Sequence, residues 1–98
     1  MPFVHPFSRA FSVQSICNHA PSAPGIYGLS NASHWILIES TADIREALLT
    51  QLSEGNGQLE ALSPTGFTFE LCDAAMQTSR QNRLVMEYEP VVNRLHGR

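Results

Sequence analysis

Few side chains in this sequence have the type and spacing that catalysis or ligand binding requires. Arg80 and Arg83 lie three residues apart in a helical stretch, so both can reach one phosphate or one acidic partner. The same spacing is typical of a solvated helix face, on which Arg83 pairs with Glu87. The histidines and cysteines are scattered without metal-ligand or Cys-x-x-Cys spacing, so no metal site is predicted from them. They are His5, His19, His34, His96, Cys17 and Cys72.

Composition narrows the classes of protein that the chain can represent. It has 98 residues, 43% of them hydrophobic and 15% charged, which predicts one globular domain. It has 6 basic residues, all of them arginines, and 9 acidic residues, which gives a net charge of -3. This charge argues against nucleic-acid binding driven by phosphate charge. No apolar run approaches the ~20 residues of a membrane span, and no signal peptide is recognisable. Together with the two cysteines, this predicts a cytoplasmic protein without a membrane partner.

The hydrophobic pattern predicts a small α+β domain with a three-stranded antiparallel sheet flanked by helices. Residues 1–20 form an N-terminal arm and a short helix capped by Ser12, and residues 21–98 form the domain proper. A hairpin covers 26–38, and a helix beginning at Ser40 or Thr41 ends before the Gly55-Asn56-Gly57 breaker. A third strand at 66–71, with its apolar face toward the core and its polar face toward solvent, precedes a long helix over roughly 73–89. Residues 58–64 are either a helical turn or a loop.

Four short segments resemble landmarks of the GIY-YIG nuclease family, which includes the N-terminal domain of the excision-repair protein UvrC. Pro24-Gly25-Ile26-Tyr27 resembles the opening motif, and Leu37-Ile38-Glu39 stands where the second motif is expected. Asp43-Ile44-Arg45-Glu46-Ala47-Leu48 resembles the helix that follows, and Pro90-Val91-Val92-Asn93 resembles the closing motif. The resemblance covers about residues 21–95 and implies the element order that the hydrophobic pattern predicts.

The resemblance also implies a chemistry, namely metal-dependent cleavage of a phosphodiester. In such nucleases one tyrosine helps to activate water, a second tyrosine lies nearby, and an arginine steadies the phosphate. A glutamate of the late helix holds one divalent metal, because a carboxylate is the hard ligand that magnesium prefers. Tyr27 matches the first tyrosine, while Gly25 and Asn93 match structural positions. The remaining family positions are substituted here: Leu37 for the second tyrosine, Glu39 for glycine, Ser40 for lysine, Ala47 for arginine and Gln81 for the metal-binding glutamate.

These substitutions predict a catalytically inactive domain that acts as a binding or protein-interaction module without a cofactor. Its partner is an unidentified protein or a second copy of the chain, because surface charge is low and Phe3, Phe7 and Phe11 form an apolar arm. One alternative is a diverged DNA endonuclease using Mg²⁺ or Mn²⁺ at a remodelled site. Glu39 or Glu70 would supply its carboxylate from a strand, and His34 would ligate its metal. Arg45 and Arg80 are its candidate arginines, although helix geometry turns Arg45 away from the face of Ala47 and Arg80 away from that of Gln81. The other alternative is nucleic-acid binding without cleavage through Arg80 and Arg83.

Overall fold

The computed structural model describes residues 8–54 and 62–95, so Phe3, Phe7, residues 55–61 and the last three residues lie outside the description. Within it, eight elements follow one another along the chain. Four are strands: β1 (Arg9–Ala10), β2 (Gly25–Ser30), β3 (Trp35–Thr41) and β4 (Gly66–Leu71). Four are helices: α1 (Val13–His19), α2 (Ile44–Glu54), α3 (Ala74–Tyr88) and α4 (Val91–Leu95).

The sheet is antiparallel throughout, and its spatial order is β1-β4-β2-β3. The α+β class and the β2–β3 hairpin were therefore predicted correctly, but the sheet has four strands rather than three. β1 adds the fourth by pairing Arg9 with Phe67 and Ala10 with Gly66. A strand of two residues is too short to display a period of two, so the sequence carried no signal for it. The short helix α4 was not predicted either, because it is too short to display a helical period.

Side-chain caps mark the starts of α1 and α2. Ser12 caps α1 as predicted, because its Oγ accepts from the Ser15 N–H at 3.2 Å. The start predicted for α2 at Ser40 or Thr41 was wrong, since both residues still belong to β3. Asp43 caps α2 instead, and its Oδ1 accepts from the Glu46 N–H at 3.0 Å.

The core lies on both faces of the sheet. One face packs on α1 and α2 around Ile16, Tyr27 and Leu48, and the other packs on α3 around Ile26 and Leu84. Thr68 and Glu70 of β4 are consequently buried, at 2% and 8% exposure. The prediction that the polar face of this strand faces solvent was wrong because α3 covers it.

Among the residues that the structure describes, no helix is long and apolar enough to cross a bilayer.

Candidate functional site

Tyr27 lies at the centre of a buried hydrogen-bonded group on the α2 face of the sheet. The hairpin register places it opposite Glu39, and its hydroxyl donates to Glu39 Oε1 at 3.1 Å. The side-chain amide of Gln51, on α2, donates to the same hydroxyl at 3.1 Å. Tyr27 is only 2% exposed, so its hydroxyl both donates and accepts its hydrogen bonds inside the protein.

Burial, and then the negative charge of Glu39, raise the pKa of the Tyr27 hydroxyl above its ordinary value of about 10. The hydrogen bond from Gln51 acts in the opposite direction but is weaker. Tyr27 is therefore a neutral phenol at physiological pH, and it acts as a hydrogen-bond donor to the Glu39 carboxylate.

Gln51 is the member of this group that sequence reasoning missed. It follows Ala47 by four residues on α2, and residues four apart share a helix face. That spacing was the available signal, since it places a polar side chain one turn beyond the position at which the resemblance expects an arginine.

Leu37 and Ala47 lie in the apolar packing around Tyr27. Leu37 is opposite Leu29 in the hairpin and is 5% exposed. Ala47 is half-buried and packs against the same core cluster. Neither side chain offers a proton or a charge, so these positions contribute packing only.

Ser40 and Gln81 meet on the other side of β3. Gln81 Oε1 accepts from the Ser40 N–H at 3.1 Å and from the Ser40 hydroxyl at 2.8 Å. The Gln81 amide also donates to the Ile38 carbonyl at 3.3 Å. Because β3 is an edge strand, Gln81 satisfies backbone groups that an additional strand would otherwise pair.

The structure thus separates the predicted site residues into two groups. Tyr27 and Glu39 face α2, whereas Ser40 and Gln81 lie between the edge of β3 and α3. Glu39 and Ser40 are consecutive, so the two groups lie on either side of one strand.

The predicted anion-binding arginines differ in environment. Arg80 makes a two-pronged ion pair with Glu70, through Nε to Oε2 and through the second guanidinium nitrogen to Oε1 at 2.8 Å. Its side chain is 17% exposed, which leaves little of it for a ligand. Arg83 is exposed on α3. Arg45 donates from Nε to the Ala20 carbonyl at 2.8 Å, so it does not point toward Tyr27.

No protein-family model matches this sequence, and no curated protein matches it significantly. Solved structures do match. The GIY-YIG N-terminal endonuclease domain of UvrC from Thermotoga maritima, bound to magnesium, has a TM-score of 0.66 and 16% identity, over 80% of this chain and 91% of that chain. The chain has the GIY-YIG fold. An asparagine-to-alanine mutant of that domain, bound to its catalytic divalent cation, has a TM-score of 0.60 and 17% identity, over 80% and 90% of the two chains.

The fold raises the question of a divalent cation, and the donors at Gln81 of this GIY-YIG-like chain do not fit one. Gln81 is a neutral amide, and its Oε1 already accepts two hydrogen bonds. Across residues 8–54 and 62–95, His, Cys, Asp and Glu side chains form no group of three or more that could hold a metal. Glu39 is the carboxylate that lies beside Tyr27, and it is half-buried.

Proposed function

We propose that this chain is a catalytically inactive GIY-YIG-like domain that acts as a binding or protein-interaction module. The main support is the use made of Gln81, at the position where the resemblance expects a metal-binding glutamate. Its amide holds the edge of β3 through Ser40 and Ile38. A side chain that carries these three hydrogen bonds has a structural role that needs no metal.

The packing of Leu37 and Ala47 supports the same proposal. An aliphatic side chain cannot take the place of the second tyrosine, and a methyl group cannot stabilise charge on a phosphate. Loss of such electrostatic groups typically costs about 3 kcal/mol of transition-state stabilisation each. Loss of the arginine and the metal ligand together leaves no route to the family mechanism.

One observation favours the endonuclease alternative, in which Tyr27 works with a relocated carboxylate. The Glu39 carboxylate lies 3.1 Å from the Tyr27 hydroxyl, and oxygen ligands suit Mg²⁺ or Mn²⁺. This pair would be the centre of a remodelled site. Against it, Arg45 is held by Ala20 and Arg80 by Glu70, so neither is directed at the pair. The pairing of Arg80 also weakens the case for nucleic-acid binding through Arg80 and Arg83.

A nuclease assay distinguishes the inactive interaction module from the endonuclease alternative. The full chain is incubated with Mg²⁺ or Mn²⁺ on branched and single-stranded DNA, beside Tyr27→Phe, Glu39→Gln and, as a matched tyrosine control, Tyr88→Phe. We expect no cleavage above the metal-free background from any of them. Metal-dependent cleavage that Tyr27→Phe and Glu39→Gln abolish and Tyr88→Phe retains would overturn the proposal.

The partner is proposed to be a protein or a second copy of the chain, in a reducing cytoplasm. Cys17 and Cys72 are both free thiols, in keeping with that compartment. Light scattering over a hundredfold range of concentration tests self-association: a rising mass identifies a second copy as partner, whereas a constant monomer mass excludes it and leaves another protein.

A further inference from the structure

The outer edge of β4 is paired along only part of its length in the residues that the structure describes. β1 pairs with Phe67 and Gly66 at the start of β4, whereas no described strand pairs with Phe69 or Leu71 on that side. The opposite edge of the sheet differs, because side chains of α3 and α4 already bond to the backbone of β3. An unpaired edge is a template for another strand, so its occupant determines what the sheet can bind.

Hydrogen bonds at both ends of β4 show which of its backbone groups face this outer edge. Just after β4, the Cys72 N–H donates at 3.1 Å to the carbonyl of the residue that precedes β2. Just before β4, the Thr65 carbonyl accepts from the Phe11 N–H at 3.0 Å, on the side of β1. Because the direction of these groups alternates along an antiparallel strand, the N–H and C=O groups of Phe69 and Leu71 point outward.

The register of β1 determines which residues would lie beside this stretch of β4. Arg9 is opposite Phe67, and the two strands are antiparallel. Continued by two residues toward the N-terminus, the same register places Phe7 opposite Phe69. β4 ends two residues later, so residues 5–7, which lie outside the described part of the chain, are enough to pair with the rest of its edge.

The first described residue, Ser8, already lies along β4. A Cβ built on Gly66 would be 3.1 Å from Ser8 Cβ and 3.0 Å from its hydroxyl. Such proximity between the residue before β1 and the start of β4 shows that the chain has not turned away from the sheet at Ser8. Residues 5–7 therefore need no change of direction to continue the pairing.

Proline at position 6 fits this register. In it, the N–H groups of His5 and Phe7 point toward β4, whereas that of residue 6 would point away from the sheet. Pro6 has no N–H, and proline within a sheet is confined mainly to edge strands, at positions of this kind. It also disfavours a helical conformation at His5. Finally, it leaves no donor with which a further strand could pair at that point.

Phe7 gains an aromatic partner in the same register. Directly opposite residues of an antiparallel pair share a face of the sheet, and aromatic pairs in that position stabilise it. Phe69 is half-buried and packs against the core on the α1 and α2 face. Its ring stacks on that of Phe67, with centroids 6.3 Å apart. A ring at position 7 extends this row across the strand.

We propose that the outer edge of β4 is a strand-docking site and that residues 5–7 of the same chain occupy it. β1 is then a strand over residues 5–10, and the sheet has no edge open to a strand of another protein. Partners of the domain accordingly bind to its side-chain surfaces. The inference goes beyond the proposed function, since it holds equally for an inactive domain and for a nuclease.

Amide hydrogen exchange of the full chain, followed residue by residue by NMR, tests this pairing. We expect the amides of Phe69 and Leu71 to exchange about as slowly as that of Phe67, which β1 pairs in the described structure. Exchange of both at the rate of exposed amides overturns the proposal. Protection that appears only as the protein concentration rises also overturns it, because a second copy would then occupy the edge.

Two proline substitutions in the full chain identify the occupant. Phe7→Pro removes an N–H that faces β4 and should speed exchange at Phe69 at least about tenfold. Phe3→Pro is the matched control, because residue 3 would be opposite Asp73, beyond the end of β4, and it should leave that exchange unchanged. The amide of Tyr27, in the middle of the sheet, should stay protected in both variants and so reports that the domain is folded. Protection at Phe69 that survives Phe7→Pro, or that Phe3→Pro removes equally, overturns the proposal.

Discussion

Asn93 bonds to the backbone of Ile38 through both ends of its side-chain amide. Its Oδ1 accepts from the Ile38 N–H at 2.8 Å, and its Nδ2 donates to the Ile38 carbonyl at 3.0 Å. Ile38 is fully buried and Asn93 is 7% exposed, so water cannot replace these bonds. The pair ties α4 to the edge of β3 in the place where another strand would bind.

Asn93→Ala should therefore lower the free energy of unfolding by about 2–3 kcal/mol, because it leaves a buried N–H without a partner. Asn93→Asp should cost at least as much at neutral pH, since a carboxylate oxygen then faces the Ile38 carbonyl. Urea unfolding measures both, with Asn82→Ala on the exposed face of α3 as the control, expected within about 0.5 kcal/mol of wild type. An Asn93→Ala change as small as that of the control would show that the bonds contribute little.

Gly25 has no room for a side chain. A Cβ built there would overlap the backbone oxygen of Glu70 and lie 2.6 Å from Ile44 Cδ1. Because the obstacle is backbone in the neighbouring strand, Gly25→Ala should destabilise the domain by about 3 kcal/mol. Gly66→Ala is the matched comparison, since its Cβ would meet the Ser8 hydroxyl at 3.0 Å and an exposed side chain can move away. Equal losses in thermal unfolding would contradict this difference.

The longer elements were predictable because each carries a local sequence pattern. β3 contains a run of β-branched and aromatic residues, and α2 has apolar residues at helical spacing. The contact between Tyr27 and Glu39 was not predictable in this way. The hairpin register shifts by one residue at a bulge between Leu29 and Ser30. Without that shift Tyr27 would be opposite Ile38, so the identity of its partner depends on one irregular residue.

The ion pair between Glu70 and Arg80 was also outside the reach of sequence reasoning, which treated Arg80 as a ligand for anions. Its formation depends on how α3 lies across β4, and no local pattern encodes that angle. Conversely, the pairing of Asn93 was expected only as a structural position through the family resemblance. The contacts that define the candidate site are thus mainly tertiary, whereas most elements of the fold can be predicted from local sequence patterns.

A double-mutant cycle should measure a strong coupling between Glu70 and Arg80. Glu70→Ala and Arg80→Ala each remove one partner of a largely buried ion pair and should each cost about 3 kcal/mol. The double variant should be more stable than the sum predicts by about 1–3 kcal/mol. Arg83→Ala removes an exposed arginine from the same helix and should cost less than about 0.5 kcal/mol. Additive losses would mean that the two charges act independently.

The raised pKa of Tyr27 predicts how stability depends on pH in alkaline solution. Above pH 10 the unfolded chain loses the phenolic proton whereas the folded chain keeps it, so the unfolded state binds fewer protons. Stability contributed by this group therefore falls as pH rises, by up to about 1.4 kcal/mol per pH unit. Tyr27→Phe should cost about 1 kcal/mol at pH 7 and should flatten the fall above pH 10. Denaturant midpoints from pH 8 to pH 11 measure it, and parallel curves for the two proteins would refute the assignment.

Glu89 is a non-glycine residue in a left-handed conformation, which costs roughly 1–2 kcal/mol in an L-residue. Glycine tolerates that conformation but loses more entropy on folding, so Glu89→Gly should stabilise the domain by about 0.5–1 kcal/mol. Glu89→Ala is the matched control, because it removes the same carboxylate from the C-terminal end of α3 while keeping the strained backbone. The Tm of Glu89→Gly should therefore exceed that of Glu89→Ala. The reverse order would mean that the surrounding contacts of Pro90 and α3 impose this conformation without strain.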